Sequence, residues 1–143
     1  AYAEDLNRQV TEMAQGVGLA YQMDQIVVAN SFNAHRLAHL ASAKDLDAGA
    51  EEALFKAYFT EGRNIDDIET LVGIGLSLGL QEADIRQMLS TDQYEAEVKM
   101  DIAEAQQLGI RGVPFFLFNE KFAVSGAQPV EVFLQALEKA AGA

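Results

Sequence analysis

Gly109-Ile110-Arg111-Gly112-Val113-Pro114-Phe115-Phe116-Leu117-Phe118 is where the texture of this 143-residue sequence changes. From Val113 onward a short apolar run rich in aromatics reads as a buried β-strand. Asn119-Glu120-Lys121 is a polar turn and Phe122-Ala123-Val124 a second strand, so the pair reads as a hairpin. Pro129 suits the first position of a helix with Val130, Phe133, Leu134 and Leu137 on one side. Phe115 to Phe118 would place apolar side chains on both faces of a sheet, as in a central strand covered twice. A two-stranded ribbon is marginal alone. Further strands are therefore expected beside this one, from a segment outside these residues or from another chain.

Toward the N-terminus the pattern is helical. Val17-Gly18-Leu19, Leu78-Gly79-Leu80 and Leu108-Gly109-Ile110 share one stop signal: a glycine able to turn left-handed, then an apolar residue that folds back on the last turn. Between the stops, a helix over residues 4–17 carries Leu6, Val10, Met13, Ala14 and Val17 on one face. Ser31 is placed to cap a helix with Ala34, Leu37, Ala38 and Ala41, and Asp47 to cap the next, where Leu54, Phe55, Tyr58 and Phe59 form an aromatic stripe read as core. Asn64 precedes Ile65, Ile68, Leu71 and Val72, with Asp66 and Asp67 where the helix dipole favours them. A short helix near 82–89 and a longer one bearing Tyr94, Val98, Ile102, Ala105 and Leu108 complete the set. Helices followed by strand, strand and helix make an α+β order.

Ten basic residues against twenty-two acidic ones leave a formal charge of −12. Such a field repels phosphate backbones and anionic lipid surfaces, so neither nucleic acid nor a membrane is an expected partner. No run approaches the ~18 apolar residues of a membrane span. The sequence has no cysteine, which removes disulfides, thiolate metal sites and any cysteine nucleophile within these residues. His35 and His39 have the spacing of a metalloprotease pair, but Arg36 stands where that motif needs a glutamate, so no metal is expected.

The stretch 109–118 followed by Val124-Ser125-Gly126-Ala127-Gln128-Pro129 closely resembles the DsbA family of thiol–disulfide oxidoreductases, its FrnE-like branch above all. Asn30-Ser31-Phe32-Asn33-Ala34-His35-Arg36-Leu37 resembles that group's Asn-Thr/Ser-x-x-Ala-His-Arg-Leu, and residues 54–63 (LFKAYFTEGR) match as well. The resemblance covers essentially the whole chain. It implies a helical insertion domain over residues 1–109 and the C-terminal strand–strand–helix part of a thioredoxin-like domain over 110–143. The family's preceding strand, Cys-x-x-Cys helix and second strand do not occur here, and such a unit needs roughly 30 residues. The expectation is thus a truncated or proteolytic piece of a longer protein.

The same resemblance implies a cis Val113–Pro114 bond, with Gly112, Val113 and Pro114 forming half of a platform for substrate proteins bearing thiols or disulfides. It places His35, Gly126, Ala127 and Gln128 where they could face the active site, and calls for no cofactor. No catalytic residue is expected within the chain, which alone should be inactive. Cytoplasm is the expected compartment, and self-pairing into a homodimer the expected fate of the uncovered sheet. Two other readings stay open. A glutathione-dependent kappa-type transferase or 2-hydroxychromene-2-carboxylate isomerase would use serine for the first cysteine, but the kappa-type Gly-Ser-Asp pattern is here Gly126-Ala127-Gln128. A non-enzymatic helical binding module is the third.

Overall fold

The computed structural model describes residues 2–142 and has an α+β fold, mostly helical, ending in strand, strand and helix. The chain divides after Lys99 into two compact units. The first holds α1 (Tyr2–Gly16), α2 (Phe32–Ser42), α3 (Asp47–Phe55) running into a π-helical turn (Lys56–Thr60), α4 (Ile68–Ser77) and α5 (Glu82–Ser90). Helix α6 (Glu95–Gln107) crosses the division, and the second unit ends with β1 (Phe115–Phe118), β2 (Phe122–Ser125) and α7 (Val130–Ala141).

The core of the helical unit gathers side chains from α2 to α5, and Leu37, Leu71, Ile85 and Met88 are its largest fully buried members. Burying each is worth about 1.5–3 kcal/mol relative to leaving it in water. Gly75 lets α4 approach α5: a Cβ there would lie 2.5 Å from Ile85 Cδ1 and 3.4 Å from Leu37 Cδ1. The three glycine stops behave as their pattern predicts. Gly18, Gly79 and Gly109 have φ of 82°, 93° and 69°. The next residue in each case donates back across the last turn, Leu19 to Ala14, Leu80 to Gly75 and Ile110 to Ala105.

Several helix starts differ from the sequence reading. Ser31 occupies the cap position of α2 without a side-chain cap bond, and the Asn30 carboxamide oxygen accepts from the Phe32 amide instead. Asp47 is the first residue of α3, with Leu46 at its cap. Helix α4 begins at Ile68 because Asp67 caps it, accepting from the Thr70 amide at 2.8 Å, while Asn64 opens a separate turn by accepting from Asp66. The apolar face of α1 is largely uncovered: only Ala14 is buried, and Leu6, Met13 and Val17 are exposed.

In the second unit β1 and β2 pair antiparallel, Phe115 with Ser125 through Phe118 with Phe122. Asn119 and Glu120 both take left-handed backbone, φ 50° and 56°, the conformation that matches a turn to strand twist. Phe116 meets Phe133 edge-on at 4.9 Å, so α7 covers the face that Phe116 shares with Val124. Asn119 Nδ2 donates to the Ala140 carbonyl and ties the turn to the end of α7. Pro129 caps α7 from just outside rather than opening it. Phe116 and Leu117 are each 39% exposed and no third strand pairs with β1 among the described residues, as expected of a strand whose neighbours would come from outside these residues or from another chain. On α7 the apolar positions split into two stripes. Ala136 and Ala140 are buried, whereas Val130, Leu134 and Leu137 are exposed.

Candidate functional site

Gly112, Val113 and Pro114 lead directly into β1. Val113 is 89% exposed, and neither its amide nor its carbonyl has a backbone partner among the described residues. The Val113–Pro114 peptide bond is cis. The Pro114 carbonyl accepts the Gly126 amide at 2.8 Å, which carries the hairpin ladder one step past the Phe115–Ser125 pair. Gly126 has φ +83°, a conformation that glycine adopts without steric cost. Gln128 Nε2 donates to the Ser125 carbonyl at 3.0 Å, so its carboxamide folds back over Gly126. Pro114, Gly126 and Gln128 thus meet at one end of the hairpin. Gly112 and Ala127 are exposed beside them in the chain.

His35 belongs to the helical unit. It is exposed on α2, at the rim of a groove of about 430 Å³ between α2 and the α3–π segment. Its neighbour Arg36 points the other way and is only 3% exposed. The Arg36 guanidinium donates to the Gln93 carbonyl at 2.8 Å, to Asn33 Oδ1 at 2.9 Å, and to the carbonyls of Met88 and Thr91. In this His-Arg pair, therefore, the arginine holds the C-terminal end of α5 and only the histidine faces the groove. His39 stacks on Tyr94 with ring centroids 6.0 Å apart. Among the described residues no three His, Asp or Glu side chains gather to hold a metal ion.

The groove itself escaped the sequence reading. Its wall is the stripe taken there for core, and Phe55 is 56% exposed while Leu54 and Tyr58 are half-buried. The missing signal is the π turn at residues 56–60, which offsets Tyr58 and Phe59 from α-helical positions. Glu51 lies one turn before Leu54 and Phe55, and this spacing is the sequence signal that places it on the groove.

The DSBA-like thioredoxin domain family matches residues 3–138. The uncharacterized protein YwbO of Bacillus subtilis (strain 168) is 30% identical over 98 residues, 66% of this chain and 48% of that protein. A crystal structure of a probable DsbA oxidoreductase from Streptomyces coelicolor superposes with a TM-score of 0.91 at 36% identity, covering 99% of this chain and 61% of that one. The chain spans about half the length of that curated relative and under two thirds of the solved chain. With its helices followed by a strand–strand–helix end, and with the match running through nearly every described residue, the chain belongs to the DSBA-like thioredoxin domain family.

Proposed function

We propose that these residues serve a protein thiol–disulfide oxidoreductase of the FrnE-like kind, acting in the cytoplasm on substrate proteins with thiols or disulfides. The Cys-x-x-Cys would come from sequence outside these 143 residues, since they contain no cysteine. There a thiolate attacks one sulfur of a substrate disulfide, giving a mixed disulfide and releasing the other sulfur as thiolate. The second cysteine then displaces the substrate, and the pair ends oxidised as the substrate is reduced. The reverse sequence oxidises a substrate dithiol.

The observation that carries this reading is Val113, exposed and without a backbone partner at the mouth of β1. An extended substrate can pair with such a backbone by strand addition. Gln128 adds support against the glutathione readings, because its amide is engaged with Ser125 and Ala127 offers no polar group. For the 143-residue chain by itself we propose association with a second copy.

Insulin-reduction assays test the function directly. The 143-residue chain should show no turnover, and a longer form carrying the dithiol should. Val113→Pro, which deletes the amide, should weaken that longer form. Activity of the cysteine-free chain, with contaminating thioredoxins excluded by mass spectrometry, would remove this mechanism.

A further inference from the structure

The groove on the helical unit is built from two helical stripes. Helix α2 contributes Ser31, Ala34, His35 and Ala38, and the α3–π segment contributes Glu51, Phe55 and Tyr58. The two alanines leave the room, and about 430 Å³ lies within the range of roughly 300–1,000 Å³ typical of ligand sites. Tyr58 packs edge-on against Phe59 at 4.9 Å, and Tyr21 stacks on Phe59 at 4.9 Å. The aromatic wall is therefore braced by ring contacts rather than loose. The rim polar groups are not committed elsewhere: Ser31 makes no cap bond, and Glu51 has no ion pair among the described residues. No lysine or arginine lines the groove, and the chain as a whole carries a net charge of −12.

We infer that this groove docks an extended polypeptide through one large apolar side chain, with an adjacent lysine or arginine reaching Glu51. The apolar side chain lies against Phe55 and Tyr58 over Ala34 and Ala38. The cation gains both the Glu51 carboxylate and an aromatic face. An acidic neighbour in its place meets Glu51 and the negative field of the protein. The partner's being a protein rests on the oxidoreductase reading, whereas its charge and apolar anchor come from the groove.

Backbone amide NMR of the 143-residue chain tests this with three glycine–serine hexapeptides, bearing a Leu-Lys, a Leu-Glu or a Ser-Lys pair. The Leu-Lys peptide should shift the signals of Ala34, His35, Ala38 and Phe55, and bind more tightly than the other two. Glu51→Gln should weaken it by about threefold, as expected for losing a partly exposed ion pair. Ala38→Leu, checked for fold by circular dichroism, should fill the groove and abolish the shifts. Equal binding of the Leu-Glu peptide would overturn the charge assignment. Shifts confined to other residues, or none at about 5 mM peptide, well above a millimolar Kd, would overturn the site. The assay involves no thiol, so its failure leaves the disulfide-exchange reading standing. Equally, an inactive dithiol-bearing form would leave peptide binding intact.

Discussion

Arg36 illustrates how a buried charge is accommodated chiefly by carbonyl oxygens, with the Glu95 carboxylate near enough to feel its charge. Four acceptor oxygens surround its guanidinium, three of them backbone carbonyls at and beyond the end of α5. Met88 O also accepts the Thr91 amide at 3.4 Å, and the Thr91 and Gln93 carbonyls lie just past the last residue of α5. Removing the side chain leaves the buried Met88 carbonyl and the part-buried Thr91 and Gln93 carbonyls without their cation, so Arg36→Met should lower unfolding stability by about 2–3 kcal/mol. Arg36→Lys should recover only part, because an ammonium cannot reproduce the planar fork. Urea midpoints of the three proteins decide, and a lysine variant as stable as wild type would refute the clamp. The sequence displayed His35-Arg36 as one motif. Only the structure separates the arginine that braces α5 from the histidine at the groove, because its three carbonyl acceptors lie more than fifty residues away in the chain.

Among the elements, the α4–α5 contact is set by what Gly75 lacks. An added methyl would meet Ile85 Cδ1 at 2.5 Å, and Ile85 is fully buried and cannot easily swing away. Overpacking costs about 1–3 kcal/mol, against about 1 kcal/mol regained by replacing a helical glycine. Gly75→Ala should therefore destabilise wild type, and do so less in an Ile85→Val background, where Cδ1 is gone. Strict additivity in thermal or urea unfolding would show that the contact is not the constraint. Across the same two helices Arg86 bonds Glu69 and Glu82 at 2.8 Å each. That bond holds the Glu69 carboxyl below the ordinary glutamate value. A depressed folded-state pKa contributes stability above the unfolded value, lost as pH falls through the folded one. Arg86→Gln should thus raise the Glu69 midpoint in an NMR titration, and an unchanged midpoint would show the bridge to be absent in solution. Helix existence and the glycine stops were legible because periodicity and left-handed glycine are local signals. Helix starts were only partly legible: Ser31 does stand at the cap position of α2, though without a side-chain cap bond, whereas Leu46 rather than Asp47 and Asp67 rather than Asn64 stand at the other two. The π turn has no comparable local signature, so the groove it shapes was hidden too.

For the molecule as a whole, the hairpin unit poses a solubility problem that an acidic surface does not remove. One face of its sheet packs on α7, while Leu117 on the opposite face is 39% exposed. Val130, Leu134 and Leu137 form a second apolar stripe on α7, exposed by 68%, 53% and 50%. Each such side chain left in water forgoes part of the ~1.5–3 kcal/mol that burial would supply. Both strands also present an outer edge with no ladder partner among the described residues, and an open edge seeks one. A second copy satisfies both demands, and a two-fold arrangement uses the same patch on each chain. The net charge of −12 opposes this at low salt, so association should strengthen as ionic strength screens the repulsion. Light scattering across a dilution series should show a mass rising from 15.5 kDa toward twice that value, more steeply at high salt. Leu134→Glu with Leu137→Glu should return the chain to monomer if the helix stripe is the contact, and Leu117→Glu should do so if the sheet face is. A monomer at every concentration and salt would mean that the exposed stripe and strand edges tolerate water, and the packing argument for self-pairing would fail with it.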